Sequence, residues 1–178
     1  MRYVALLRGI NVGGHQKVAM ADLRKLLEAL QLDDVRTHLQ SGNAVFTCSA
    51  KTAKTLGRHI EDRISRDLGL DVKVLVRSRD ELAKVVTANP LGDVANDPAK
   101  QLVSFLSAEP DPAVLKAIDP ADFEPDQFRV AGRVAYLWCP NGVLASKLPA
   151  AFSDKRLGVT TTTRNWRTVT RLLELAGD

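Results

Sequence analysis

The sequence predicts an α+β fold: two ferredoxin-like β-α-β-β-α-β subdomains related by internal duplication, with a further helix at the C-terminal end. Three observations predict it. The hydrophobic period switches between two and 3.6 in the same order twice along the 178 residues. Each half contains two strand-like runs joined by a turn with a central glycine, Gly42 in one and Gly132 in the other. The opening strand is apolar on both faces, so a sheet with helices on one side only would leave it uncovered. That predicts that the second face is buried too, against the other half.

The elements follow in order. RYVALLR (2–8) is a strand. ADLRKLLEAL sets Leu23, Leu26, Leu27 and Leu30 on one helical face. DVRTHLQ and NAVFTC are strands, and QSGN (40–43) between them is turn chemistry. Residues 51–68 place Leu56, Ile60, Ile64 and Leu68 at helical spacing. DVKVLVR (71–77) alternates as a strand.

The second half repeats the order. QLVSFLS (101–107) is a strand, and PDPAVLKAI is a short helix with prolines at its start, where a missing N–H does no harm. DQFRVAGRVAYLWC (126–139) is a hairpin. NGVLASKLPAAF reads as a helix ended near Pro149, LGVTTTT (157–163) as a strand, and NWRTVTRLLELA as the last helix. The predicted boundaries are 1–78 for the first subdomain, 79–99 for a linker helix and loop, and 100–178 for the second subdomain with the terminal helix.

Composition narrows the class. The chain is 45% hydrophobic and 26% charged, which is globular and not disordered. Its apolar runs are strand-sized, well short of a bilayer span. With an N-terminus that enters a strand at once, this gives a cytoplasmic expectation. Cys48 and Cys139 form no CxxC and are too few for a disulfide framework, so both are expected as reduced thiols. His15, His38 and His59 lack metal-ligand spacing, and no metal is expected. The net charge of +4 permits an anionic partner without demanding one.

The halves differ at one place. From the start of the first strand to the hairpin glycine is a span of 40 residues in half one and 31 in half two. The excess matches GINVGGHQKV (9–18), a βα connection longer than the usual 2–6 residues. Gly9 and Gly14 have P-loop spacing, but His15 and Gln16 stand where Lys and Ser or Thr are required, and the run is not GxGxxG. Two readings stay open. Gly9, Gly13 and Gly14 supply positive φ to a packed loop, or their N–H groups converge on an anion beside Arg8, His15 and Lys17. Asn11 can both donate and accept there, and His15 would make such a site sensitive to pH near neutrality.

In QSGN, Ser41 and Asn43 are either parts of a plain hairpin or neutral hydrogen-bonding groups facing a ligand. Arg164 and Asn165 precede the last helix, where Asn165 or Thr163 suits the N-cap and Trp166 a core anchor. These eleven residues (Arg8, Gly9, Asn11, Gly13, Gly14, His15, Lys17, Ser41, Asn43, Arg164 and Asn165) are the candidate ligand-binding set.

LLRGINVGG followed by KVAMADL, then LQSGNAVF, then TTRNWRTVTRLLELA resemble the bacterial proteins grouped as domain of unknown function 1697. The resemblance implies two ferredoxin-like subdomains. It implies no activity, so no catalytic residue or cofactor carries over.

Three functional classes follow. A small anionic or nucleotide-like ligand would be held at 9–18, in a pocket lined by Arg8, Asn11, Ser41 and Asn43. A weak nucleic-acid-binding module would expose Tyr136 and Trp138 on the plait, with little sequence specificity because the RNP pattern is incomplete. A non-catalytic interaction domain would expose an apolar patch. No membrane partner is expected. No Ser-His-Asp, paired-carboxylate or metal pattern names a reaction.

Overall fold

Tyr3-Val4-Ala5-Leu6-Leu7 leaves no polar side chain for a solvent face, and the strand it forms is a central one. The computed structural model describes residues 1–49 and 52–177. Strand β1 (Arg2–Leu7) lies between β3 (Asn43–Thr47) and β4 (Val74–Ser78), with β2 (Asp33–His38) outside β3. All neighbours are antiparallel and the order is β2-β3-β1-β4.

Helices α1 (Met20–Ala29) and α2 (Ala53–Leu68) cover one face. Leu23, Leu27, Ile60 and Ile64 meet Tyr3, Ala5, Leu7, Phe46, Val74 and Val76 in a continuous core. Thr52 caps α2 by accepting from the Thr55 N–H, and Gly69, at φ +66°, ends it. A Cβ on Gly57 would stand 2.9 Å from the Val74 carbonyl oxygen, so glycine permits the close seat of α2 on β4. The other face of the sheet is buried as well, at Val4, Leu6 and Val45.

After α3 (Arg79–Thr87), the second sheet is built from β5 (Gln101–Leu106), β6 (Gln127–Ala131), β7 (Val134–Trp138) and β8 (Thr161–Asn165) in the order β6-β7-β5-β8. Leu102, Leu106, Ala135 and Leu137 form its core with Leu148, Phe152 and Leu157. Among the described residues this makes a mixed α+β chain with two four-stranded antiparallel sheets.

The two registers run in parallel. Val4 faces Arg77 across β1 and β4, and Val103 faces Arg164 across β5 and β8. The Leu7 N–H donates to the Gly42 carbonyl at 2.8 Å, and the Leu106 N–H to the Arg133 carbonyl at 3.0 Å. The Cys48 N–H donates to the Met1 carbonyl at 3.0 Å, and the Cys139 N–H to the Lys100 carbonyl at 3.0 Å. Both cysteines are free and buried.

Several expected boundaries move. The helix expected in NGVLASKLPAAF is broken into a 3₁₀ turn, Val143–Ala145, and α5 (Leu148–Ala151), after α4 (Pro112–Lys116) and before α6 (Asp154–Leu157). Pro149 sits in the first turn of α5, where its missing N–H costs nothing, so it starts a helix and does not end one. The last strand begins at Thr161, not at 157, because Leu157 belongs to α6 and Gly158, at φ +70°, caps it.

Helix α7 (Trp166–Gly177) buries Val169, Leu172 and Ala176, with Trp166 half-buried. The chain divides into one compact unit of Met1–Lys84 together with the chain from Arg171 onward, and another of Val85–Thr170. The divisions fall at 84 and 170, later than the expected 78 and short of a second subdomain running to 178.

Candidate functional site

The loop after β1 is ordered by one side chain. Asn11 has φ +55°, which lets its amide turn back on the loop's own base. Its Nδ2 donates to the Val18 carbonyl at 2.9 Å and to the Gln40 carbonyl at 2.7 Å, while its Oδ1 accepts from the Val18 N–H at 2.9 Å. The Asn11 N–H donates to the Gln16 carbonyl at 3.2 Å, and the His15 N–H to the Val12 carbonyl at 3.1 Å. The Gln16 Nε2 donates to the Asp71 carbonyl at 3.1 Å. Beneath the loop, Ile10 is buried against Gly42, so loop 9–18 lies on the hairpin 39–42.

Asn43 is fully buried and donates through Nδ2 to the His38 carbonyl at 2.8 Å and to the Ser41 Oγ at 3.1 Å. Asn11 and Asn43, expected to face a ligand, therefore fasten backbone instead. An Asn side chain has four hydrogen-bonding positions, and three of those on Asn11 are occupied. Of the expected pocket of Arg8, Asn11, Ser41 and Asn43, the two asparagines are engaged within the chain and Asn43 is buried, while Arg8 and Ser41 are exposed.

The solvent side of the loop is different. Arg8, Gly9, Gly13, Gly14, His15 and Lys17 are all exposed. Among the described residues, the side chains of His15 and Lys17 make no hydrogen bond or ion pair, and the Gly13 and Gly14 N–H groups are unbonded. The Arg8 N–H is tied to the Lys73 carbonyl at 2.9 Å, which fixes where its side chain leaves the sheet. Lys73 contributes a further positive charge, paired at 3.7 Å with the exposed Asp71.

Arg164 and Asn165 fall in the other unit and serve it locally. Arg164 is buried in β8, donating to the Thr162 Oγ1 at 2.9 Å and the Thr163 carbonyl at 3.0 Å. Burial pushes its guanidinium down to about 10. The Asn165 Oδ1 accepts from the Thr168 N–H at 2.9 Å and is the N-cap of α7. Tyr136 and Trp138, the expected stacking pair, are buried, and the Tyr136 hydroxyl donates to the Val85 carbonyl at 2.9 Å.

Two residues near the loop were not marked by the sequence. Val12 is 65% exposed and Leu39 53% exposed, the latter at φ +61°. Among the described residues no group of three or more His, Cys, Asp or Glu could hold a metal ion, and no helix is long and apolar enough to cross a membrane.

These features define a class: an α+β protein of two antiparallel four-stranded sheets, with a glycine loop clipped onto a hairpin at the end of a central strand. The chain belongs to the family described as protein of unknown function DUF1697, whose model matches residues 1–136. The glycine loop and the QSGN hairpin lie inside that match, and Arg164 and Asn165 beyond it. A conserved bacterial protein from Streptococcus pneumoniae has a similar solved structure, with a TM-score of 0.77 at 23% identity over 98% of each chain. At that identity the likeness is one of fold. No curated protein matches the chain.

Proposed function

We propose that loop 9–18 binds a small anionic or nucleotide-like ligand on its solvent side. The observation that carries this reading is a division of labour. Asn11 and Ile10 tie the loop to the hairpin, while Arg8, His15 and Lys17 are exposed and the N–H groups of the exposed Gly13 and Gly14 are unbonded. Donors already fixed in place lose little freedom on binding an anion. Two free buried thiols suit a reducing, cytoplasmic setting for such a protein.

The test is a thermal-shift series with inorganic phosphate, AMP and sugar phosphates, since a ligand of the folded state raises the melting temperature. Replacing Arg8 by Ala removes a charged partner worth about 1.5–3 kcal/mol, roughly ten- to a hundredfold in affinity. The expected outcome is binding weakened to that extent with little loss of fold. A large fall in stability, with no ligand found, makes the loop structural.

We also infer that the two units are copies of one ferredoxin-like plait. Matched strand orders, matched registers and matched Cys48 and Cys139 contacts support this. On this reading the first copy runs past the expected 1–78. Ser78 and Asn165 each end a strand and start a helix, which makes α3 the counterpart of α7 and not a linker within 79–99. Superposing the copies strand on strand should leave residues 9–18 unmatched; a match there removes the idea of an added loop.

A further inference from the structure

We propose that the loop's ligand is a phosphomonoester with an apolar or aromatic body, the chemistry of a nucleoside monophosphate, and that Val12 and Leu39 carry that body. The inference rests on the anion-binding reading of loop 9–18 and adds to it the part of the ligand that is not an anion.

Single exposed apolar side chains are ordinary on protein surfaces. These two are not scattered. Asn11 and Gln40 are joined by a hydrogen bond of 2.7 Å, and Val12 and Leu39 each stand one residue from it. The bond fixes the two loops to one another, so Val12 and Leu39 lie on neighbouring stretches of backbone. Arg8, at the start of the same loop, and His15 and Lys17 within it are exposed as well.

Leu39 is the more telling of the two. Its φ of +61° lies in the left-handed region, which Gly and Asn occupy readily and Leu does not. At 53% exposure it recovers little burial in return. Asn or Gly would relieve both penalties, so neither backbone geometry nor core packing accounts for leucine at this position. Strain kept at an exposed position motivates a search for contact with something outside the chain.

The surroundings set the chemistry. One Arg, one His, Lys17 and a Lys73 already paired with Asp71 suit a single phosphate more than a polyanion. Two apolar side chains suit one ring or short apolar group and are too few to hold a helix face or enter a bilayer. Binding sites of this kind combine a small apolar floor with a few fixed polar groups.

The experiment titrates the full chain with inorganic phosphate, AMP and adenosine by calorimetry, in wild type, Leu39→Asn and Val12→Ser. AMP should bind roughly tenfold or more tighter than either fragment, as burial of the two side chains predicts. Leu39→Asn should melt no lower than wild type and keep its phosphate affinity, while losing most of the advantage of AMP over phosphate. Val12→Ser should move the same way.

If AMP binds no tighter than phosphate, or both variants retain the full advantage, the inference is overturned and the anion site stands. If none of the three probes binds, the anion site falls and takes the inference with it. Adenosine binding as tightly as AMP would overturn the phosphate's part in both. A marked loss of stability in Leu39→Asn would make Leu39 a packing residue and overturn the inference.

Discussion

Arg77 and Arg164 hold the same register position in the two sheets, opposite Val4 and Val103, and each donates through Nη1 to the carbonyl of the residue before it, Val76 and Thr163, both at 3.0 Å. Both are buried. A charged side chain at a buried sheet position is costly, and burial pushes the Arg164 guanidinium down to about 10.

This predicts an order of stabilities at residue 164. Arg164→Met keeps an apolar stem in place and removes the buried charge, and should cost less than about 1.5 kcal/mol. Arg164→Ala also leaves a cavity and should cost about 2–4 kcal/mol. Urea denaturation compares them. Equal losses would mean that the bonds to Thr162 and Thr163, not the stem, hold the position.

Asn11 offers a second test. Asn11→Ala strips the Val18 N–H and the Val18 and Gln40 carbonyls of their partner. The expected cost is about 1–3 kcal/mol, with faster hydrogen exchange at the Val18 amide while β1 amides keep their protection. Unchanged exchange at Val18 would show that the loop does not depend on this amide.

The loop glycines should separate by their surroundings. A Cβ on Gly42 would meet the Ile10 Cδ1 at 2.6 Å and the Leu7 Cβ at 2.8 Å, at φ +86°. Gly14, at φ +77°, has open space around it. Gly42→Ala therefore adds overpacking to backbone strain and should cost about 2–5 kcal/mol, while Gly14→Ala carries only the backbone share, about 1–2 kcal/mol. Comparable melting temperatures for the two variants would contradict the contact of the loop with the hairpin.

The fourth prediction concerns pH. Burial first, and Arg171 second, push the His38 imidazole below its ordinary 6.5. The folded state then binds fewer protons than the unfolded chain across that interval, so stability rises with pH there. The contribution is fully present above about pH 6.5 and is lost as pH falls through the lowered value. An NMR titration should find His38 titrating low, and Arg171→Gln should raise it part of the way. An unmoved His38 in that variant would remove Arg171 as a cause.

Much of this fold could be read from period and turn chemistry alone. Alternating Val72, Val74 and Val76, leucines at helical spacing and Gly42 between two strands depend on local rules, and the elements appear in the predicted order. Residues 143–157 resisted the same reading because the helices there are four residues or shorter, too brief for a period to register.

The candidate site was legible in place more than in role. Loop length pointed to 9–18, but a sequence cannot show which way an amide faces. Asn11 and Asn43 have the same chemistry whether they hold a ligand or a carbonyl. Leu39 gave no signal, since a left-handed backbone is normally announced by Gly or Asn.

Ser78 and Asn165 leave no slack between strand and helix. The Ser78 Oγ accepts from the Glu81 N–H at 3.1 Å while a Glu81 carboxylate oxygen accepts from the Ser78 N–H at 2.8 Å, and Asn165 ends β8 as it caps α7. Both strands lie at the rim of a sheet, where slippage is easiest and where a shift of one residue would turn every inward side chain outward. Such a shift would also pull the cap off the helix that follows. The two residues thus work like the pawl of a ratchet, coupling the alignment of a rim strand to the first turn of a helix, so that misregistered pairing in either sheet is penalised twice.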